Sequence, residues 1–170
     1  MRDRRFVAVH RGGLLDIKKH RLLAAWAADC AEHVLPLFQK HSADQRPKRA
    51  IRVARAWAKG KVTVGDAQKA AVAAHAAARK VANQSARAAA RAAGHAVATA
   101  HMADHSLGPC IYALKAVAAL GRSAEAEHAW QMKHLPTSVR KLVISALQGE
   151  RFKRVMKKLM PQARFRPPRR

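Results

Sequence analysis

The sequence predicts an all-α fold, a single-domain bundle of about six to eight helices. Three observations carry this. Between the ends of the chain, apolar residues recur at helical spacing, and no stretch alternates as a half-buried strand does. Residues that start and stop helices fall between the periodic segments. Half of residues 67–104 are alanine, which has the best intrinsic helix propensity. At 170 residues the chain is long enough for one domain with its own core.

The elements follow in order. Residues 1–13 read as a basic N-terminal tail, closed by Gly12–Gly13, and 14–149 as the helical domain. A long helix over 14–41 carries Leu22, Trp26, Cys30, Val34 and Phe38 at steps of four, with Leu15 two turns before Leu22. Pro36 kinks or ends it. Pro47 suits the first turn of a second helix, with Asp44 as its cap; Ile51, Ala54 and Trp57 line the buried face and Gly60 stops it. Thr63 with Asp66 is close to a capping box and opens a third helix, which runs to about Val81.

After a break at 83–85, a fourth helix is expected over 85–105. Alanine lets helix axes approach closely, so helices three and four read as a close-packed antiparallel hairpin over about 65–105. Gly108–Pro109 opens a fifth helix that reaches Leu120, Ser123 caps a sixth, and residues 137–147 form a seventh before Gly149. The segment 150–170 combines a basic amphipathic helix with a Pro- and Arg-rich end. Its apolar stripe holds Phe152, Val155, Met156, Leu159 and Met160, so docking on the core with the cations outward is expected.

Charge is the most unusual property: 34 Lys and Arg face 10 Asp and Glu, a net +24. Nucleic acid, anionic lipid and an acidic protein surface are the physical partners of such a chain. No apolar run of membrane-spanning length is present, and the start, MRDRRFVAVHRGG, lacks an apolar leader core, so the cytoplasm is the expected location. Cys30 and Cys110 have no CxxC spacing; two buried thiols fit a reducing compartment better than a disulfide.

Motifs for catalysis are missing. GxxxxGK[ST], GxGxxG and GxSxG do not occur, and the few acids offer no obvious carboxylate pair. One cluster suggests chemistry. His101 and His105 are four apart, so they are expected to share a helix face, and two imidazoles so placed can hold a transition metal. His75 from the neighbouring helix and Asp104 complete that candidate site. His95 is expected to stay apart, since ten residues of helix, about 15 Å of rise, separate it from His105. The alternative role for these imidazoles is hydrogen bonding across alanine-lined interfaces. A second candidate is RPKRAIRVARAWAKGK, whose Arg46, Lys48, Arg49, Arg52, Arg55 and Lys59 form an anion- or partner-binding ridge.

The segments LLAAWAADCAEHVLPLF, RPKRAIRVARAWAKGK, TVGDAQKAAVAAHAAARKVA, ARAAGHAVATAHMADHSLG and IYALKAV occur in that order. Together they resemble a bacterial family of immunity proteins, the immunity-five-like group, over about residues 14–147. The resemblance implies an all-helical cytoplasmic domain that neutralises a co-encoded toxin by binding it. It places the family's typical residues at Trp26, Asp29, Cys30, Arg46, Pro47, Ala50, Ile51, Ala54, Trp57, His75, His101 and His105, and none of these is implied to be catalytic. The chain departs from immunity proteins that block nucleases, which are commonly acidic; its charge calls for an acidic toxin. The expected function is thus a non-enzymatic binding protein with a toxin-like protein partner and no required cofactor. A nucleic-acid-binding helical protein and a metal-dependent enzyme using the His cluster are the alternatives. Homodimerisation through alanine faces is compatible with each.

Overall fold

The structure is a computed structural model and describes residues 3–161. Eight α-helices follow one another: α1 (Ile17–Gln39), α2 (Arg46–Ala58), α3 (Val64–Arg79), α4 (Gln84–Ala98), α5 (Leu107–Ala118), α6 (Ala124–Lys133), α7 (Thr137–Gln148) and α8 (Glu150–Leu159). Short 3-10 turns occupy Arg4–Phe6, Val9–Arg11 and Ala103–Ser106. No β-strand occurs among the described residues, and the expected all-α bundle is the fold observed.

Local chemistry sets most boundaries. The Asp16 carboxylate accepts the Lys19 amide at 2.8 Å and caps α1. Asp44 accepts the Arg46 amide at 3.0 Å, and Pro47 occupies the first turn of α2. Gly60 follows α2 with φ +73°, a left-handed conformation that suits glycine at a helix end. Thr63 and Asp66 form a full capping box on α3. Asn83 caps α4 and Ser123 caps α6, each accepting the amide three residues on. α1 continues one turn beyond Pro36 and ends at Gln39.

Helix α4 is the axis of the bundle, with α1, α2, α3 and α5 packed around it. From Ser85 onward only Arg87, Arg91 and His95 escape burial, at steps of four along one line. The rest of α4 is almost entirely alanine, and α3 returns against it through a short turn as the expected antiparallel hairpin. Bulk comes from α1: Trp26, Phe38 and Leu23 are among the largest fully buried side chains. The Trp26 indole donates to the Gln131 carbonyl at 3.0 Å, fixing α6 to α1. Cys30 and Cys110 are buried thiols in the same core. α8 is docked on α5 and α7, with Met156 and Met160 each 1% exposed. Residues 162–170, the greater part of the expected Pro/Arg-rich end, lie outside the described residues.

Two expectations need correction. Leu22 is exposed, and Leu23 takes its place in the core. A strict step of four drifts by about 40° per step on a helix, so Leu22 lies about 160° around α1 from Phe38. The fourth helix ends at Ala98 rather than near 105. His20 of α1 donates from Nε2 to the Thr99 carbonyl at 2.6 Å, and the Thr99 hydroxyl bonds back to the His95 carbonyl at 3.2 Å. These bonds hold the chain as it turns into the Ala103–Ser106 segment.

Candidate functional site

The turn after α4 rearranges the histidines. His101 lies in the turn and His105 in the 3-10 segment, so they do not share a helix face. The chain folds back instead and brings His105 over His95, with their Nδ1 atoms 3.3 Å apart. His95, expected to stand apart, is the centre of the group. His75 meets it edge-on with ring centroids 5.0 Å apart, and Tyr112 stacks on it at 5.1 Å. His101 meets His105 at 5.1 Å and also lines a separate cleft of about 800 Å³ beside Phe6, His20 and Trp57. The imidazoles run as a chain from His75 through His95 and His105 to His101. Among the described residues no three His, Cys, Asp or Glu side chains are arranged around one ion position.

Two glycines make room for this chain. An ideal Cβ on Gly94 would lie 2.5 Å from Cε1 of His75. One on Gly108 would lie 2.7 Å from Cγ of His95. Burial, helped by Arg91, His105 and Arg79, pushes the His75 pKa down to about 4. Burial, with the charges of His75, His105, Arg91 and Arg151, pushes His95 down to about 3. Both shifts favour neutral rings at pH 7, and the Arg91 guanidinium lies 3.4 Å from Nδ1 of His75.

Beyond the histidines lies a groove that no single segment of the sequence displays. α4, α5 and α8 form its walls, and its volume is about 750 Å³. Arg87 and Arg91 come from α4, Lys115 from α5, Arg154 and Lys158 from α8; no carboxylate lines it. Ala88, Ala119, Val155 and Leu159 supply its apolar surface. A smaller cavity of about 300 Å³ reaches His95 and His105, and it shares Tyr112, Lys115 and Val155 with the groove. At this end Arg151 of α8 pairs with the buried Asp104 at 3.2 Å.

The α2 ridge carries less unbalanced charge than its sequence suggests. Arg46 pairs with Asp44, and Arg55 pairs with Asp29 at 2.8 Å and with Glu32, both on α1. The balancing acids come from another helix, so local sequence does not show them. Lys48, Arg49, Arg52 and Lys59 remain exposed. Between α1 and α2 a shallow groove of about 390 Å³ exposes Leu22 beside Lys18, Arg21 and Lys59.

Ten acids serve the whole chain, and each is engaged within it. Asp3, Asp16, Asp29, Glu32, Asp44, Asp104 and Glu150 are ion-paired, and Glu127 accepts from the His33 ring at 2.7 Å and from the Gln131 amide at 2.8 Å. Asp66 sits in its capping box, and Glu125 accepts from the Ser123 hydroxyl. Among the described residues no ion pair neutralises any of the five groove cations. The sequence offered one signal for the groove: Arg87, Arg91 and His95 at steps of four in an alanine helix.

Fold and surface together define a small all-helical domain whose acids are engaged internally and whose cations, among the described residues, are mostly exposed. The model of the family described as Imm-5 like putative immunity protein matches residues 13–138, well over half of the chain, and the chain belongs to this family. No curated protein and no solved structure matches it. Most residues typical of the resembled group hold the frame: Trp26, Cys30, Ala50, Ile51, Ala54 and Trp57 are buried, and Asp29 ties α1 to Arg55. Most of α7 and all of α8 lie beyond the matched stretch. No helix among the described residues is long and apolar enough to cross a membrane.

Proposed function

We propose that this chain is a non-enzymatic binding protein that neutralises a co-encoded bacterial toxin by occupying it. The match to an immunity-protein family over residues 13–138 carries this reading. The surface chemistry supports it and adds a requirement. A protein whose ten acids are all engaged internally, and whose net charge is +24, attracts an acidic partner surface. Neutralisation then needs no reactive group on this chain: a rigid bundle covers the toxin's working surface. Co-expression with the product of the adjacent toxin-like gene is the test. Restored growth and a one-to-one complex are expected; unrelieved toxicity without a complex contradicts the reading.

The net charge also favours a second reading, a nucleic-acid-binding helical protein. It predicts steep salt dependence: six to ten phosphate contacts lose about 10³ to 10⁵ in affinity between 50 and 200 mM salt. Binding to an oligonucleotide that survives this range unchanged rules out a mainly electrostatic mode.

A further inference from the structure

We infer that the groove between α4, α5 and α8 is the docking site for an acidic amphipathic segment of the protein partner. This deepens the antagonist reading and rests on it for the existence of that partner. The first argument is electrostatic. Arg87 with Arg91, and Arg154 with Lys158, are like charges four residues apart on their helices, an arrangement that costs stability in the free protein. Within the described chain no carboxylate forms an ion pair with them. Carboxylates supplied from outside remove this repulsion on binding.

The second argument is shape and polarity. The cations surround an apolar floor of Ala88, Ala119, Val155 and Leu159. An amphipathic segment meets both demands, placing apolar side chains on the floor and carboxylates against the rim. Nucleic acid fits less well. Its single strands bind by stacking bases on aromatic rings, and the one aromatic here, Tyr112, is already stacked with His95 and lies under the Lys115 ammonium at 4.9 Å. A second copy of this chain brings further positive charge, and residues 162–170 contain arginines and no acid. Neither supplies the missing carboxylates. The α8 wall lies beyond the family-matched stretch, so this site adds partner choice to a shared frame.

The test uses the full chain and a fluorescent synthetic helical peptide of alternating Glu-rich and Leu-rich turns, read by anisotropy at 100 mM salt. The double variant Arg154→Glu with Lys158→Glu is expected to weaken binding at least tenfold. Its melting temperature should change by only a few degrees: the like-charge pair on α8 is kept as Glu and Glu, and a new one with Glu150 arises, while carboxylates replace cations opposite Arg87, Arg91 and Lys115. Lys158→Gln, which only removes charge, should weaken binding in the same direction. A control with the same charge change, Lys133→Glu with Lys141→Glu on α6 and α7, should change affinity less than threefold. Several results overturn the inference: equal weakening by the control pair, a larger effect from Lys48→Glu with Arg52→Glu, no peptide binding, or displacement of the peptide by a single-stranded oligonucleotide at lower concentration. Failure of the two proposals is distinguishable. A toxin complex that survives the groove variant overturns the groove site and leaves the antagonist reading standing. Peptide binding confined to the groove, with no toxin complex, supports the groove and removes the antagonist.

Discussion

Replacing Gly94 by alanine should destabilise this protein, although the same exchange in an unobstructed helix stabilises it. Gly94 lies inside α4 with an ordinary helical backbone, so helix propensity alone favours alanine by about 1 kcal/mol. Against this stands the His75 ring. The new Cβ would lie 2.5 Å from Cε1, 2.7 Å from Nδ1 and 2.8 Å from Nε2. Overpacking of this kind costs about 1–3 kcal/mol, so the single substitution should lose about 1 kcal/mol. In a His75→Ala background the obstruction is gone, and Gly94→Ala should gain about 1 kcal/mol. The double-mutant cycle therefore predicts a coupling of about 1–3 kcal/mol. Urea unfolding of the four proteins measures it; about 1 kcal/mol corresponds to about 2–4 °C in Tm at this size. If Gly94→Ala stabilises equally with and without His75, the ring does not occupy the slot and the described histidine packing is wrong.

Other predictions follow from the same geometry. His95 and His75 have folded pKa values of about 3 and about 4, below the free value of 6.5. The unfolded chain therefore takes up protons first as pH falls, and stability declines below about pH 6.5. Between pH 6.5 and 5, His95 alone accounts for about 2 kcal/mol; His75 adds less because it is more exposed, and His128, lowered by burial, acts in the same direction. Urea midpoints across this range check it, and His95→Gln should flatten the profile. Met156→Ala should cost about 2–5 kcal/mol, because it empties a fully buried position under α8; a change under 0.5 kcal/mol in urea unfolding would mean α8 is not docked. Thr63→Ala should cost about 0.5–2 kcal/mol through loss of the α3 capping box, read in the same assay.

Punctuated boundaries were legible in the sequence because their causes are local. Thr63 with Asp66, Ser123, Pro47 and Gly60 act on neighbours within three or four residues. The end of α4 was not legible, since no glycine or proline marks Ala98. Just past that end His20, from a different helix, donates to the Thr99 carbonyl, a contact that local sequence does not show. The turn after Ala98 breaks the helical register of His101 and His105 and brings His105 onto His95, so their spacing was a poor guide and His95 was missed. The cationic groove was hidden for a similar reason. Arg91, Lys115 and Lys158 are far apart in sequence and share a surface only after α5 and α8 pack beside α4. The acids that offset the α2 ridge were equally invisible, because Asp29 and Glu32 reach Arg55 from α1.

The most direct measurement is the affinity of this protein for the product of the adjacent toxin-like gene, taken with the unaltered chain and with Arg154→Glu plus Lys158→Glu. A tight one-to-one complex that the reversal weakens at least tenfold is the predicted result. No complex at micromolar concentration contradicts the antagonist reading, and a complex that the reversal leaves unchanged contradicts the groove as the place where an acidic partner docks.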